Sequence, residues 1–254
     1  MSKQSIHIET LGEGPDIVFL HGWAMHSGVW KGILARLVSH YRVHLIDLPG
    51  HGLSPNQEPG DFDQVVKTIL DTLPDRCTIC GWSLGGQVAM GLALADPIRV
   101  KKLVLVSTTP CFVKHPDWPW GMEGSFLQFF MANLHQNFRT TINRFLTLQI
   151  NGGRNSANTL AQLREYFFER DPPDYNALQQ GLLILQTNDM RSKLHRITQP
   201  VLLLHGENDM ITHPSAAKWM SQQFNNARLV LFPKCGHAPF ITDPEKFVAC
   251  IHEN

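Results

Sequence analysis

The chain has 254 residues, 43% of them hydrophobic, and 22 Lys+Arg against 22 Asp+Glu, giving a formal net charge of zero at pH 7. A chain of this length can bury a large core, and it suits one α/β domain with an insertion better than two independent domains. Balanced charge argues against non-specific nucleic-acid binding, which needs a strong basic bias, and no apolar run reaches transmembrane length.

The N-terminal run from Met1 to Glu9 lacks the apolar stretch of a signal peptide. Residues 5–11 read as an antiparallel edge partner. Asp16 to His21 (DIVFLH) and Arg42 to Asp47 (RVHLID) read as strands, and so does Cys77 to Gly81 (CTICG). Gly85 to Ala95 reads as a helix, and Lys102 to Ser107 (KLVLVS) as the strand that follows it. Near-continuous Val/Leu/Ile runs of this kind suit strands covered on both faces, as in a parallel sheet. Such sheets bind ligands beyond the carboxyl ends of their strands.

Between Cys111 and Arg191 the alternation stops, over a span longer than an ordinary connection. Ser125 to Leu134, Phe138 to Ile150, Thr159 to Glu169 and Tyr175 to Gln186 each carry apolar residues at helical spacing. Pro116, Pro119, Gly152-Gly153 and Pro172-Pro173 punctuate them. The expectation is a helical cap over 111–191, set on a core of 1–110 and 192–254. Strands resume at Val201 to His205 (VLLLH) and Ala227 to Phe232 (ARLVLF).

Five cysteines stand scattered at 77, 80, 111, 235 and 250. That odd, dispersed set fits a reduced, cytosolic protein, with Cys77 and Cys80 as small core residues.

Gly81-Trp82-Ser83-Leu84-Gly85 reads G-x-S-x-G between a predicted strand and a predicted helix. A serine on that tight turn has its hydroxyl pushed out of the sheet top, and glycines flank it because side chains there would collide with neighbouring elements. Serine is a weak nucleophile at neutral pH and needs a base, which in turn needs an orienting group. In this strand–turn–helix setting the acid and the base follow the serine in that order, each after a later strand. Asp209, in Gly206-Glu207-Asn208-Asp209, is the candidate acid, with Glu207 and Asp243 as rivals. His237, in Lys234-Cys235-Gly236-His237-Ala238-Pro239, is the candidate base. It is one of 13 histidines, so its place after the last strand selects it, not its identity.

An oxyanion needs preorganised N–H donors. Leu84, directly after the serine, and Trp23, in the His21-Gly22-Trp23 turn, are the candidates. The histidines show no metal-ligand spacing such as H-E-x-x-H, so no metal is expected, and the reaction needs no cofactor.

The segments HGW at 21–23, DLPGHGLS at 47–54, GWSLGG at 81–86, GEND at 206–209 and GHAPF at 236–240 resemble the α/β-hydrolase family along the whole chain. Finer segments are HGWAMHSGVW at 21–30, STTPCF at 107–112, RFLTLQ at 144–149, GLLIL at 181–185 and HAPFI at 237–241. These resemble the biotin-pathway carboxylesterases that demethylate the methyl ester of pimeloyl-[acyl-carrier protein]. The resemblance implies an α/β-hydrolase fold: a mostly parallel central sheet, helices on both faces and a helical cap inserted after the sixth strand. It implies a cytoplasmic serine esterase that releases methanol while the acyl chain stays on its carrier protein. Implied substrate contacts are Trp23, Ser83, Leu84, Phe145, Leu146, Thr147, Leu148, Gln149 and His237. Arg139, Arg144, Arg154 and Arg164 lie on cap segments, where basic side chains would meet an acidic carrier. Only Arg144 sits in a convincingly matching run. A monomer is the default expectation, with no membrane or nucleic-acid partner.

Two other readings stay open on the residues alone. One is a less selective carboxylesterase, or a hydrolase of carbon–carbon bonds or lactones, with the same triad. The other is a ligand-binding receptor on the same fold.

Overall fold

The computed structural model describes residues 5–55, 60–150, 153 and 156–253. Its strands are β1 (Ile8–Leu11), β2 (Asp16–Leu20), β3 (Arg42–Ile46), β4 (Cys77–Trp82), β5 (Val100–Val106), β6 (Val201–Gly206) and β7 (Ala227–Phe232). They form one seven-stranded sheet in the order β1-β3-β2-β4-β5-β6-β7. β1 is antiparallel to β3, and the other pairings are parallel. The central apolar runs predicted to be covered on both sides are covered: Ile17, Val18, Phe19 and Leu20 of β2 are all solvent-inaccessible although they alternate between the two faces, whereas β7, at the sheet edge, is only half-buried over residues 229–231.

The helices are α1 (Lys31–Leu37), α2 (Phe62–Leu70), α3 (Leu84–Ala95), α4 (Gly124–Leu134), α5 (Phe138–Ile150), α6 (Ser156–Phe168), α7 (Tyr175–Thr187), α8 (Pro214–Gln223), α9 (Pro239–Thr242) and α10 (Pro244–His252). α3 is buried on nearly every side, which explains its sequence, LGGQVAMGLALA, with no charged residue at all. It lies on β2, β4 and β5, and α2 covers it. α1, α9 and α10 pack on one another. Trp30, just before α1, is their anchor, with its ring 5.0 Å from Phe19, 4.4 Å from Phe240 and 6.4 Å from Phe247.

The helical insertion, α4 to α7, follows the fifth strand rather than a sixth. β1 pairs directly with β3 and returns through a short turn to β2, so the described residues supply one edge strand ahead of β2 and not two.

Polar contacts fasten the insertion to the sheet side at several points. Arg170 Nη1 donates to the buried Asp47 carboxylate at 2.7 Å. His26 Nε2 donates to Tyr166 O at 2.5 Å, and Lys31 pairs with Glu169. Asp47 also accepts from Ser27 N and Leu53 N, so its buried charge is fully solvated by protein groups.

Gly81 and Gly85 let β4 and α3 meet at the serine turn. A Cβ on Gly81 would stand 2.3 Å from Gly85 O, and one on Gly85 would stand 2.5 Å from both Leu20 O and His21 O. These are backbone atoms that cannot swing aside. Gly85→Ala is therefore expected to cost about 1–3 kcal/mol, the usual range for overpacking, read as a lower urea midpoint with an unchanged m-value.

Candidate active site

Ser83 joins the end of β4 to the start of α3 with φ +55° and ψ −117°. An L-residue pays strain energy to adopt such a backbone. The surroundings hold it there: Ser83 N donates to Val106 O at 3.0 Å, and Ser83 O accepts from Thr108 Oγ1 at 2.7 Å and from Gly86 N at 2.9 Å. The result is the strained strand-to-helix turn that the motif predicts.

β6 and β7 carry the next two parts. Beyond β6 the chain runs through Glu207 and Asn208 to Asp209, and beyond β7 through Cys235 to His237. Glu207 N donates to Phe232 O and Asn208 N to Cys235 O, so the two loops leave the sheet bonded to each other. His237 Nδ1 donates to Asp209 Oδ2 at 2.8 Å, with both side chains buried. The carboxylate accepts at Nδ1, which selects the tautomer with its lone pair on Nε2. That Nε2 is buried and has no hydrogen-bond partner among the described residues. Burial pushes the Asp209 carboxyl up, but the charge and hydrogen bond of His237, the nearby His205 and the Thr212 N–H outweigh it. The net effect holds Asp209 below the usual aspartate value, as a carboxylate. The two rivals stand elsewhere: Glu207 is exposed, and Asp243 caps α10 by accepting from Lys246 N.

His237 and Ser83 are linked through the residue between the first glycine and the serine. Trp82 Nε1 donates to His237 O at 2.8 Å, and its ring centroid lies 5.6 Å from the imidazole. From the other side, His237 N donates to Gln149 O in α5 at 2.7 Å. Nothing in the serine motif assigns Trp82 this role. Its signal is slight: a long indole donor at the variable position of the serine motif.

The first candidate oxyanion donor, Leu84 N–H, opens α3, where a helix has no internal acceptor for it. The second, Trp23, is a central residue of the turn closed by Met25 N to Gly22 O at 3.2 Å. That turn lies against the serine, since a Cβ on Gly22 would stand 3.3 Å from Ser83 Cβ. His21 braces it, with Nδ1 donating to Gly22 O at 2.8 Å and Nε2 accepting from Leu48 N at 2.9 Å. Acceptance at Nε2 needs a neutral ring. Burial foremost, with His51 adding to it, pushes the His21 pKa down to about 3. The Trp23 indole runs up into the insertion, donating to Leu178 O at 2.8 Å and meeting Phe145 edge-on at 4.8 Å.

The expected substrate run 145–149 divides in three. Phe145 stands against Trp23, and Gln149 meets His237 through its backbone carbonyl, while its side-chain amide is buried with no hydrogen-bond partner among the described residues. Leu146 is fully buried core. Thr147 is exposed, and its hydroxyl is spent on Asn143 O one turn back. Thr147 and Leu148 instead line, with Phe126, Phe129, Phe130 and Arg144, a groove of about 560 Å³ between α4 and α5.

Arg139, Arg144 and Arg164 are exposed on α5 and α6. Arg139 lies over the Phe168 ring, Arg144 lies over Phe129, and Arg164 donates to Asn143 Oδ1. Arg154 falls outside the described residues. Among the described residues no group of three or more His, Cys, Asp or Glu could hold a metal ion, and no helix is long and apolar enough to cross a membrane.

The buried histidines make a pH test. A lowered folded-state pKa means that the unfolded chain binds the proton first, so stability falls as pH falls. For His21 the contribution is fully present above 6.5 and drains away as pH drops toward about 3. The directions for His26, His51 and His205 are the same. Urea unfolding is expected to show stability falling steadily from pH 7 to pH 5. His21→Gln, less stable at pH 7, is expected to show a shallower slope.

An α/β hydrolase fold family model matches residues 15–244. A pimeloyl-[acyl-carrier protein] methyl ester esterase from Nitrosomonas europaea is 56% identical over 97% of this chain and 98% of its own. One of the same name from Nitrosospira multiformis is 51% identical over 99% and 98%. Among solved structures, an esterase from Exiguobacterium antarcticum superposes with a TM-score of 0.87 at 23% identity, over 98% of this chain and 94% of that one. An enol-lactonase from Burkholderia xenovorans gives 0.82 at 21%, over 98% and 95%, a likeness of fold alone. The chain therefore belongs to the α/β hydrolase fold family and, within it, to the family of pimeloyl-[acyl-carrier protein] methyl ester esterases.

Proposed function

We propose that this chain is a serine carboxylesterase that hydrolyses the methyl ester of pimeloyl-[acyl-carrier protein] to the free carboxylate and methanol, a step of biotin synthesis. The observation that carries the chemistry is the imidazole of His237, bonded to Asp209 through Nδ1 at 2.8 Å, with a buried Nε2 that has no partner among the described residues, and lying 5.6 Å from the ring of Trp82, the residue before the strained Ser83. The near full-length relatives of that name support the substrate.

In this reading, His237 Nε2 takes the proton of Ser83 as Oγ attacks the ester carbonyl. The N–H groups of Leu84 and Trp23 receive the oxyanion. Collapse expels methoxide, which takes the proton back from His237 and leaves as methanol. A water, deprotonated by the same nitrogen, then attacks the acyl-enzyme and frees both the acid and Ser83. Asp209 fixes the tautomer and stabilises the imidazolium without itself taking up the proton.

Residues 111–191 act as a lid on a core of 1–110 and 192–254. Trp23 and Phe145 wall the apolar acyl slot, and Leu148 extends it toward the α4–α5 groove. The Gln149 amide, buried and without a partner among the described residues, is the polar handle at its inner end. Leu146 serves the slot from behind, as packing. The acyl chain arrives on its carrier protein, and Arg139, Arg144 and Arg164 offer that acidic partner a basic face. The enzyme works as a cytoplasmic monomer.

Ser83→Ala is expected to lower kcat on the order of 10³–10⁶-fold while the protein stays folded. Retention of most turnover in a methanol-release assay would overturn the assignment. Arg144→Glu is expected to weaken turnover of the carrier-bound ester by roughly tenfold, the scale of one lost charge contact, and to spare small free methyl esters. An equal loss on both substrates would count against the docking role.

A further inference from the structure

We infer that Thr212 is a positioning residue for the Asp209–His237 pair: it presents its N–H to one carboxylate oxygen and its hydroxyl to the other, while His205 holds its carbonyl. The inference rests on the triad reading above and adds a residue that neither the serine motif nor the spacing of the triad singles out.

Asp209 Oδ1 accepts from Ile211 N at 2.9 Å and from Thr212 N at 3.0 Å. Oδ2 accepts from Thr212 Oγ1 at 2.8 Å and from His237 Nδ1 at 2.8 Å. One residue thus bonds both oxygens and fixes the plane of the carboxylate about its last torsion. That torsion is soft in an aspartate, and it decides where the Oδ2 lone pair points. The hydroxyl can donate only once. Its other neighbours, His237 Nδ1 at 3.4 Å and His205 Nε2 at 3.5 Å, are too far to compete with the 2.8 Å bond.

Thr212 is itself held. His205, the next-to-last residue of β6, is buried and donates from Nε2 to Thr212 O at 2.7 Å. Burial keeps the His205 ring neutral against the pull of Asp209. The sequence of contacts runs from the rigid sheet through His205 to Thr212, from Thr212 to both oxygens of Asp209, and from Asp209 to the imidazole. Thr212 touches no reacting atom in this arrangement. Its action passes through Asp209.

The test compares Thr212→Val, which keeps the shape and removes the donor, with Thr212→Ser, which keeps the donor. Thr212→Ala serves the same purpose as the valine variant if valine does not fold. Removing a buried hydrogen bond to a charged group is expected to lower kcat roughly 10- to 100-fold, with KM on a methyl ester unchanged. Thr212→Ser is expected to restore kcat to near the unmodified value. The far-downfield proton resonance of the His237–Asp209 hydrogen bond should shift or broaden in Thr212→Val and return in Thr212→Ser. A donor-free variant that folds with unchanged kcat and an unchanged resonance overturns the inference, and so does a serine variant no better than valine. Asp209→Asn separates the triad from the role of Thr212. Full activity in Asp209→Asn sinks the triad reading itself. Loss of activity there, with full activity in Thr212→Val, sinks only the role of Thr212.

Discussion

His237 is gripped at three points by three parts of the chain that lie far apart in sequence. Asp209, after β6, takes its Nδ1 proton. Trp82, at the end of β4, donates to its carbonyl. Gln149, in α5, accepts from its backbone N–H. With each of those positions occupied, the ring keeps a lone pair on a buried Nε2 that no described residue uses. A flexible loop histidine would lose this lone pair to water and would spend rotamer entropy each time it turned toward the serine. Held in this way, that cost falls on folding instead of on catalysis.

The fold supplies the three grips through its strand order. β2 sits between β3 and β4, so successive crossovers diverge from it, and a crevice opens beyond the carboxyl ends of the strands on either side. Ser83 follows β4, the Trp23 turn follows β2, Asp209 follows β6 and His237 follows β7. Each functional group stands at a strand end, where the sheet fixes the backbone, and the ends point the same way because the pairings among these strands are parallel. The strain at Ser83 is tolerated because four neighbours over-determine it: Val106, Thr108, and the close approach of Gly81 and Gly85.

Much of this was legible in the residues. The strands announce themselves as short Val/Leu/Ile runs because both faces are covered, and the insertion announces itself because its helices are amphipathic. α3 was legible for a different reason: it follows a G-x-S-x-G turn and is rich in small residues. Ser83 and His237 could be selected by position in the element order. What could not be read are contacts whose partners share no local pattern. The Asp47–Arg170 pair joins residues 123 apart in the chain, and the Trp82 indole reaches a carbonyl 155 residues away. Nothing in the periodicity of either segment encodes the match. The run 145–149 shows the same limit at closer range. Its resemblance marks all five residues alike, whereas the helical turn sets Phe145 against Trp23, buries Leu146 and Gln149 and leaves Thr147 in solvent. The count of strands before the insertion came from the family pattern, and it yields to one short edge strand that pairs at once with β3.

The central claim is that the Ser83 hydroxyl is a nucleophile because His237 strips its proton. A fluorophosphonate probe tests it, because it is captured only by an activated serine. After incubation with the intact protein, peptide mass spectrometry should find a single adduct on Ser83, with the labelling rate collapsing in His237→Ala. An adduct on another residue, or unchanged labelling of Ser83 without the imidazole, would contradict the account.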